Sequence, residues 1–232
     1  MKIQISVLVP CFNEIKTINA IIEKVIKSLE VYNFEVVIVD DGSSDGSAEE
    51  IKNIEKNYKN VLGVYLSTNS GKGKAIQEGL KFCKGDIVVF QDADLEYNPN
   101  DIHKMIIPFL EANADVVYGS RFLGSNYVRL HYFSHYLANK FLTFAANIFT
   151  NLNMTDMETG YKLFKNEVIK SIDINEKSFG VEPEITMKLA KKGFKFFEVP
   201  ISYNGRSYKE GKKISAIDGV AALLCIVKYR FF

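Results

Sequence analysis

The feature that most constrains this chain is an alternation. From residue 3 to about 118, short apolar runs take turns with stretches whose apolar residues recur every three and four positions. Ile3–Val9, Phe34–Val39, Val61–Leu66, Asp86–Phe90 and Asp115–Tyr118 read as buried strands. Between the first two, Ile18, Ile21, Ile22, Val25, Ile26 and Leu29 share one face of a helix. A second helix, capped by Ser44 or Asp45, runs to about Tyr58, and Ala75–Cys83 forms a third. Pro99 sits in the first turn of a fourth, which runs to Ala112. The pattern predicts an α/β fold, a mostly parallel sheet with helices on both faces. Ligands of such sheets sit beyond the carboxyl ends of the strands. Four strand ends here carry polar or glycine-rich clusters: Asn13-Glu14, Asp40-Asp41, the loop Asn69–Lys74, and Asp92-Ala93-Asp94. They are expected to converge on one edge.

The remainder is less regular. It reads as a long aromatic helix over His131–Leu152, a polar cluster with a short strand in Asp156–Phe164, and a helix over Val181–Lys192. A strand over Lys195–Val199, a polar loop over Tyr203–Lys213 and a terminal amphipathic helix over Ile214–Phe232 follow. No internal repeat or linker interrupts it, and 232 residues fit one large domain or two small ones. Hydrophobic residues at 47% and charged ones at 25% exclude disorder, collagen or coiled coil as a description of the whole chain.

With 29 Lys/Arg against 28 Asp/Glu, the chain lacks the basic surplus of a general nucleic-acid binder. The balance is uneven, however. From Tyr203 onward, Arg206, Lys209, Lys212, Lys213, Lys228 and Arg230 face only Glu210 and Asp218, which points to an anionic partner, phosphate or membrane surface. Cys11, Cys83 and Cys225 show no metal-like spacing and read as reduced thiols of a cytosolic protein. Neither a signal peptide nor a spanning helix is expected. The longest apolar run, Val220–Val227, is far below the ~18 residues a span requires.

Each polar cluster has a plain and a functional reading. Asp92-Ala93-Asp94 is either a turn with a helix cap or, with Glu96 nearby, a site for a hard divalent cation shared with a bound diphosphate. Asp41 either shapes the turn at Gly42 or accepts hydrogen bonds from a base or ribose. The Gly71 loop, with Lys72 and Lys74, is either solvated or a phosphate cradle at a helix N-terminus; it matches neither the dinucleotide fingerprint nor the Walker A pattern. Arg121 either clamps a phosphate or pairs with a nearby acid. Arg206 and Lys212 either belong to a solvated loop or close over a diphosphate. His103, His131 and His135 have no metal-ligand company, and Cys11 has no histidine partner, so these read as structural or surface groups.

Taken in order, Val9-Pro10-Cys11-Phe12-Asn13-Glu14, Val37–Asp45, Asn69–Gly73 and Gln91-Asp92-Ala93-Asp94 resemble the inverting glycosyltransferases of family 2, which have the GT-A fold. Gly119-Ser120-Arg121, the Asp156–Lys162 segment with Thr159-Gly160, and Arg206 with Lys212 extend the resemblance across nearly the whole chain. Within the family it is nearest to the dolichyl-phosphate mannose synthase, or polyprenyl-phosphate glycosyltransferase, branch. The resemblance implies a single GT-A catalytic domain, with residues 1–120 binding a GDP- or UDP-sugar and residues 121–232 binding the acceptor. It implies that Pro10, Phe12, Glu14, Val39 and Asp41 hold the nucleoside. Asp92, Asp94, the Ala93 carbonyl and Glu96 would hold Mg²⁺ or Mn²⁺ and the diphosphate. Branch members often carry Gln where Glu96 stands, and the extra acid makes this the least secure of the metal ligands. Arg121, Arg206 and Lys212 would contact donor or acceptor phosphates.

The implied reaction is in-line attack on the sugar C1 with loss of a nucleoside diphosphate, whose new charge the metal and the basic loop stabilise. A polyprenyl phosphate acceptor is already an anion and needs no strong base; a glycan or small-molecule hydroxyl does. In hydroxyl-acceptor relatives an Asp occupies the place of Glu182, which makes Glu182 a candidate base, against its plain reading as an acid favoured by a helix N-terminus. The aromatic helix and the terminal Lys228-Tyr229-Arg230-Phe231-Phe232 fit peripheral seating on the cytoplasmic face of a membrane, although a core helix explains the former too. Two other classes fit less well. A sugar-phosphate nucleotidyltransferase would begin with a glycine-rich loop after the first strand, and a non-catalytic scaffold would not need the Asp92/Asp94 pair.

Overall fold

A computed structural model describes residues 3–124, 129–130, 132–178, 180–206 and 216–231. Seven strands form one sheet: β1 (Gln4–Cys11), β2 (Asn33–Asp40), β3 (Val61–Tyr65), β4 (Ile87–Phe90), β5 (Val116–Ser120), β6 (Lys162–Lys165) and β7 (Phe196–Pro200). Their order is β3-β2-β1-β4-β6-β5-β7. All pairings are parallel except those of β6, which runs antiparallel to both β4 and β5.

The helices are α1 (Ile18–Leu29), α2 (Ser47–Asn57), α3 (Lys72–Leu80), α4 (Ile102–Glu111), α5 (Phe133–Thr150), α6 (Asn166–Lys170), α7 (Val181–Lys191) and α8 (Ala216–Phe231). Successive strand residues face opposite sides, so each central strand feeds two cores. Ile5, Val7, Val9, Val36, Ile38, Ile87 and Val89 pack with the apolar face of α1 and with Ile51, Ile54 and Ile102. Leu8, Val37, Val39, Val88, Phe90 and Tyr118 pack with Ala75, Leu142, Ile185 and Ile226 from α3, α5, α7 and α8. Fully burying each such side chain contributes about 1.5–3 kcal/mol, which is why the strands read as unbroken apolar runs.

The strand–helix alternation expected up to about residue 118 is present. Asp45 accepts the Ser47 N–H at 3.0 Å, satisfying a free donor at the start of α2. Pro99 opens a 3₁₀ turn that leads into α4. Two features differ from the expectation. First, α3 begins at Lys72 rather than Ala75, because Gly71 takes φ +94°, a conformation that costs glycine little, and turns the chain directly into the helix. Second, the strand within Asp156–Phe164 enters antiparallel, followed by the short α6. An antiparallel strand has its amino end where the parallel strands have their carboxyl ends. The residues just before β6 therefore reach the ligand edge, next to the point between β1 and β4 where strand order reverses.

Candidate active site

The clusters expected to converge do so, and the contacts among them are mainly ionic. Asp92-Ala93-Asp94 leaves β4 at the edge of the sheet. Asp94 is buried, and Asp92 is half-buried. Arg206 bridges three acids with one guanidinium: Nη2 donates to Asp94 Oδ2 at 2.7 Å, Nη1 to Glu14 Oε1 at 3.1 Å and Nε to Glu96 Oε1 at 3.1 Å. Lys72, at the start of α3, lies 2.8 Å from Asp92 and 3.2 Å from Glu182. Glu182, in the first turn of α7, is also paired with Lys162 of β6. Lys162 is fully buried, donates to the carbonyls of Met157 and Thr159, and lies 4.6 Å from the centre of the Tyr118 ring.

Two backbone approaches shape this cleft. Gly160 passes so close to Asp92 that an added Cβ would stand 2.6 Å from its Oδ2, and the Gly160 N–H donates to the Tyr97 hydroxyl. Residues Tyr203–Arg206 are strapped onto Glu96. Its Oε1 accepts the Arg206 N–H, its Oε2 accepts the Tyr203 hydroxyl, and its carbonyl accepts the Asn204 N–H.

Residues 6–173 match the profile of Glycosyl transferase family 2, well over half of the chain. The chain belongs to glycosyltransferase family 2. An uncharacterized protein of Methanocaldococcus jannaschii is 33% identical over 219 residues, covering 89% of this glycosyltransferase and 93% of that protein. A dolichol-phosphate mannosyltransferase of Pyrococcus furiosus is 28% identical over 211 residues, and a dolichyl-phosphate beta-glucosyltransferase of Trichomonas vaginalis is 29% identical over 219. The alignments cover 90% and 87% of this chain, which spans 59% and 66% of those two proteins. Glucosyl-3-phosphoglycerate synthase of Mycobacterium tuberculosis, solved with Mn²⁺, uridine diphosphate and glucosyl-3-phosphoglycerate, superposes with a TM-score of 0.73 at 20% identity. That superposition covers 99% of this chain and 80% of the synthase and establishes the GT-A fold.

In this glycosyltransferase, the acids past β4 suit a divalent cation. Burial and the nearby charges of Asp92 and Glu96 push the Asp94 carboxyl up to about 7, against the pull of Arg206. Such a carboxyl gains from a dication. Among the described residues, no three His, Cys, Asp or Glu side chains form a ready cage. Mg²⁺ and Mn²⁺ need only one or two protein carboxylates when phosphate oxygens and water complete the shell, so the donor set fits. Of the expected ligands, Asp92 and Asp94 fit best; both Glu96 oxygens are already engaged by the 203–206 strap.

The other predicted residues separate by environment. Phe12 and Glu14 are half-buried at the end of β1, and Pro10 pairs in register with Val39. Val39 and Ala93 are buried in the two cores, so any contact they make with a nucleoside is through the backbone. Asp41 accepts the Ser70 N–H at 2.8 Å and the Gly71 N–H at 2.7 Å, and Gly73 N–H donates to the Lys177 carbonyl. In this structure the anion that the Gly71 loop backbone holds is Asp41, and the loop's cation at the cleft is the Lys72 side chain. Arg121 takes the second of its two readings. Its Nε and Nη2 donate to Asp156 at 2.7 Å each, so the guanidinium is committed to a buried carboxylate. Lys212 and His131 lie outside the described residues. Cys11 is buried, and burial with nearby Asp40 pushes its thiol up to about 12, so it packs rather than reacts.

Sequence reasoning missed Lys162, Tyr97 and Glu158. A lysine between Tyr161 and Leu163 in a short apolar run was the available signal, because a charged residue on a buried strand requires a partner. Burial pushes Glu182 up, but Lys162 and Lys72 prevail and hold it below the usual carboxylate range. A carboxylate so stabilised is a weak proton acceptor.

Proposed function

We propose that this protein transfers a sugar from a nucleoside-diphosphate donor to a polyprenyl phosphate, with inversion at C1 and dependence on Mg²⁺ or Mn²⁺. The observation that carries the lipid acceptor is a pair of exposed apolar stripes. On α5, Phe133, Leu137, Phe141, Phe144 and Ile148 recur every three or four residues and are all at least half exposed. On α8, Val220, Leu224, Val227 and Phe231 repeat the same spacing and are also exposed. The two helices pack against each other, with Phe149 edge-on to Phe231 at 6.0 Å. Water-facing stripes of this kind suit shallow insertion into a bilayer. Among the described residues no helix is long and apolar enough to cross a membrane; the contact proposed on these stripes is a peripheral one, on the cytoplasmic face. The names of the Pyrococcus and Trichomonas relatives support the same acceptor class.

In this reading Phe12, Glu14 and Asp41 frame the nucleoside. Asp92 and Asp94 would hold the cation, which when bound neutralises the diphosphate. Arg206 and Lys72 turn from the carboxylates toward the leaving phosphates and stabilise their charge. The phosphate acceptor arrives as an anion, so the weak basicity of Glu182 is no handicap, whereas a hydroxyl acceptor would require a stronger base. Lys162 fixes Glu182, and Glu182 in turn positions Lys72.

Incubation with radiolabelled UDP-glucose or GDP-mannose, Mn²⁺ and undecaprenyl or dolichyl phosphate, followed by organic extraction, tests the proposal. Label in the organic phase is expected. Label remaining in water with the lipid intact, and moving to a glycan or phosphorylated small molecule, would replace it with the hydroxyl-acceptor reading.

A further inference from the structure

Around the cleft, single buried oxygens of Asp40, Glu182 and Glu158 make no hydrogen bond among the described residues, but of these carboxylates only Glu158 has no hydrogen-bond or ion-pair partner at either oxygen. Asp156 has Arg121 and Asn139, and Glu184 has the N–H groups of Asn175 and Glu176. Glu182 has its two lysines, and Glu198 accepts the N–H groups of Thr155 and Asp156. Glu158 has none: its Oε1 is buried and makes no hydrogen bond among the described residues. Unsatisfied buried polar atoms are rare in folded proteins because each costs about 1–3 kcal/mol, so an orphan at a cleft wall calls for a partner that arrives with a ligand.

The position of Glu158 narrows what that ligand group is. It stands two residues after Asp156 and two before Gly160, the residue that touches Asp92. The charges that face it are Lys162 of β6, Glu182 of α7, Arg121 beyond β5 and Asp156 on its own loop. Lys162 is held by Glu182 and the Met157 carbonyl, Arg121 is held by Asp156, and in the reading above Lys72 goes to the donor diphosphate, so none of them is left to neutralise a further phosphate beside Glu158. A phosphate would meet an acidic wall there. A neutral hydroxyl suits the carboxyl whether it is ionised or protonated, since either form accepts an O–H hydrogen bond.

We propose that Glu158 binds a hydroxyl of the sugar being transferred and thereby selects which sugar the enzyme accepts. The inference rests on the nucleotide-sugar donor reading above. It does not depend on the acceptor. A site that pairs with a hydroxyl discriminates strongly against an analogue lacking it, because the buried Oε1 is then left unpaired.

Calorimetric titration with UDP-glucose, GDP-mannose, UDP and GDP, each with Mn²⁺, tests this on the wild type, Glu158→Gln and Glu158→Ala. For whichever nucleotide sugar the wild type binds, Glu158→Ala is expected to weaken binding at least tenfold. Glu158→Gln, nearly isosteric and still able to pair with a hydroxyl, should weaken it by less than fivefold. The matching nucleoside diphosphate should bind all three proteins within twofold. Singly deoxygenated donors complete the test: removal of one particular hydroxyl should weaken the wild type tenfold or more and leave Glu158→Ala unaffected. Equal losses for sugar donor and free diphosphate would assign Glu158 a structural role and overturn the proposal. So would unchanged donor binding, or a Glu158→Gln variant that binds normally yet loses turnover a hundredfold, which would make Glu158 a base. If the wild type binds no nucleotide sugar at all, the donor reading itself fails, a distinct result.

Discussion

The pairing of Arg121 with Asp156 permits a quantitative test of what holds the cleft wall together. Asp156 is fully buried, and it accepts two guanidinium hydrogen bonds at 2.7 Å, the Arg121 N–H at 3.0 Å and Asn139 Nδ2 at 3.1 Å. Arg121→Met keeps most of the side-chain volume and removes both charged bonds. Breaking a buried ion pair from one side costs about 3–5 kcal/mol, because the remaining charge has lost its compensation. For a chain of this size each kcal/mol lowers Tm by about 2–4 °C, so the variant should melt roughly 6–20 °C lower near pH 8.

The deficit has a definite pH dependence. Burial pushes the Asp156 carboxyl up, but Arg121 overrides it and holds the group below its ordinary value. In the wild type this stabilisation is present above the unfolded value of about 3.9 and is lost as pH falls through the lower folded value. In Arg121→Met burial is opposed only by the N–H of residue 121 and by Asn139, so the folded carboxyl is expected to rise above its unfolded value and stability to drop as pH climbs from about 4. The gap between the two proteins should therefore be largest near pH 8 and should shrink toward pH 4. Arg121→Met with Asp156→Leu should recover most of the lost Tm, since an apolar pair can replace a buried ion pair at little cost. Because the guanidinium is fully committed to Asp156, turnover should return to within tenfold of wild type along with it. Circular-dichroism melts across this pH range settle the matter: a Tm loss under 3 °C at pH 8, a gap that widens toward pH 4, or a double variant no better than the single would refute the reasoning.

Three shorter expectations concern the cleft itself. Asp94→Asn should lower turnover at least a hundredfold and abolish the Mn²⁺-dependent rise in Tm that UDP produces, read by thermal shift. Because Asp94 sits at about 7, Mn²⁺ titrated with UDP should bind about tenfold more tightly per pH unit up to that value and level off above it, measured by calorimetry. Gly160→Ala forces a methyl to within 2.6 Å of Asp92 Oδ2, and should cost about 1–3 kcal/mol of stability and depress kcat, checked by melts and initial rates.

The parts of the fold that were legible in the sequence are those written in local periodicity. The runs around Val7, Val37 and Val89 pack on both faces, so they appear as continuous apolar strands, and the helical stripe from Ile18 to Leu29 faces one core. The direction of β6 was not legible, because the four residues Lys162–Lys165 carry no mark of whether their neighbours run with or against them. The acids past β4 could be read because two carboxylates on one turn demand a counter-charge. Their counter-charges in this structure come from Arg206 and Lys72, 112 and 20 positions away, and no spacing rule links such distant residues. Lys162 escaped for the opposite reason: a lysine is assumed to be solvated until the fold shows it buried. Glu158 escaped because a missing partner leaves no trace in the sequence.

The two cations that bridge the cleft acids have a consequence for how a substrate enters. The four carboxylates of Asp92, Asp94, Glu14 and Glu96 share only two cations supplied by the chain, so the resting cleft keeps an excess of negative charge. A diphosphate that arrives with its dication adds little net charge. Its anionic oxygens take Arg206 and Lys72 from the carboxylates, and the dication takes the carboxylates in return. Donor capture then works as a swap of ionic partners, and because the donor arrives nearly neutralised by its dication, its affinity should vary little with ionic strength.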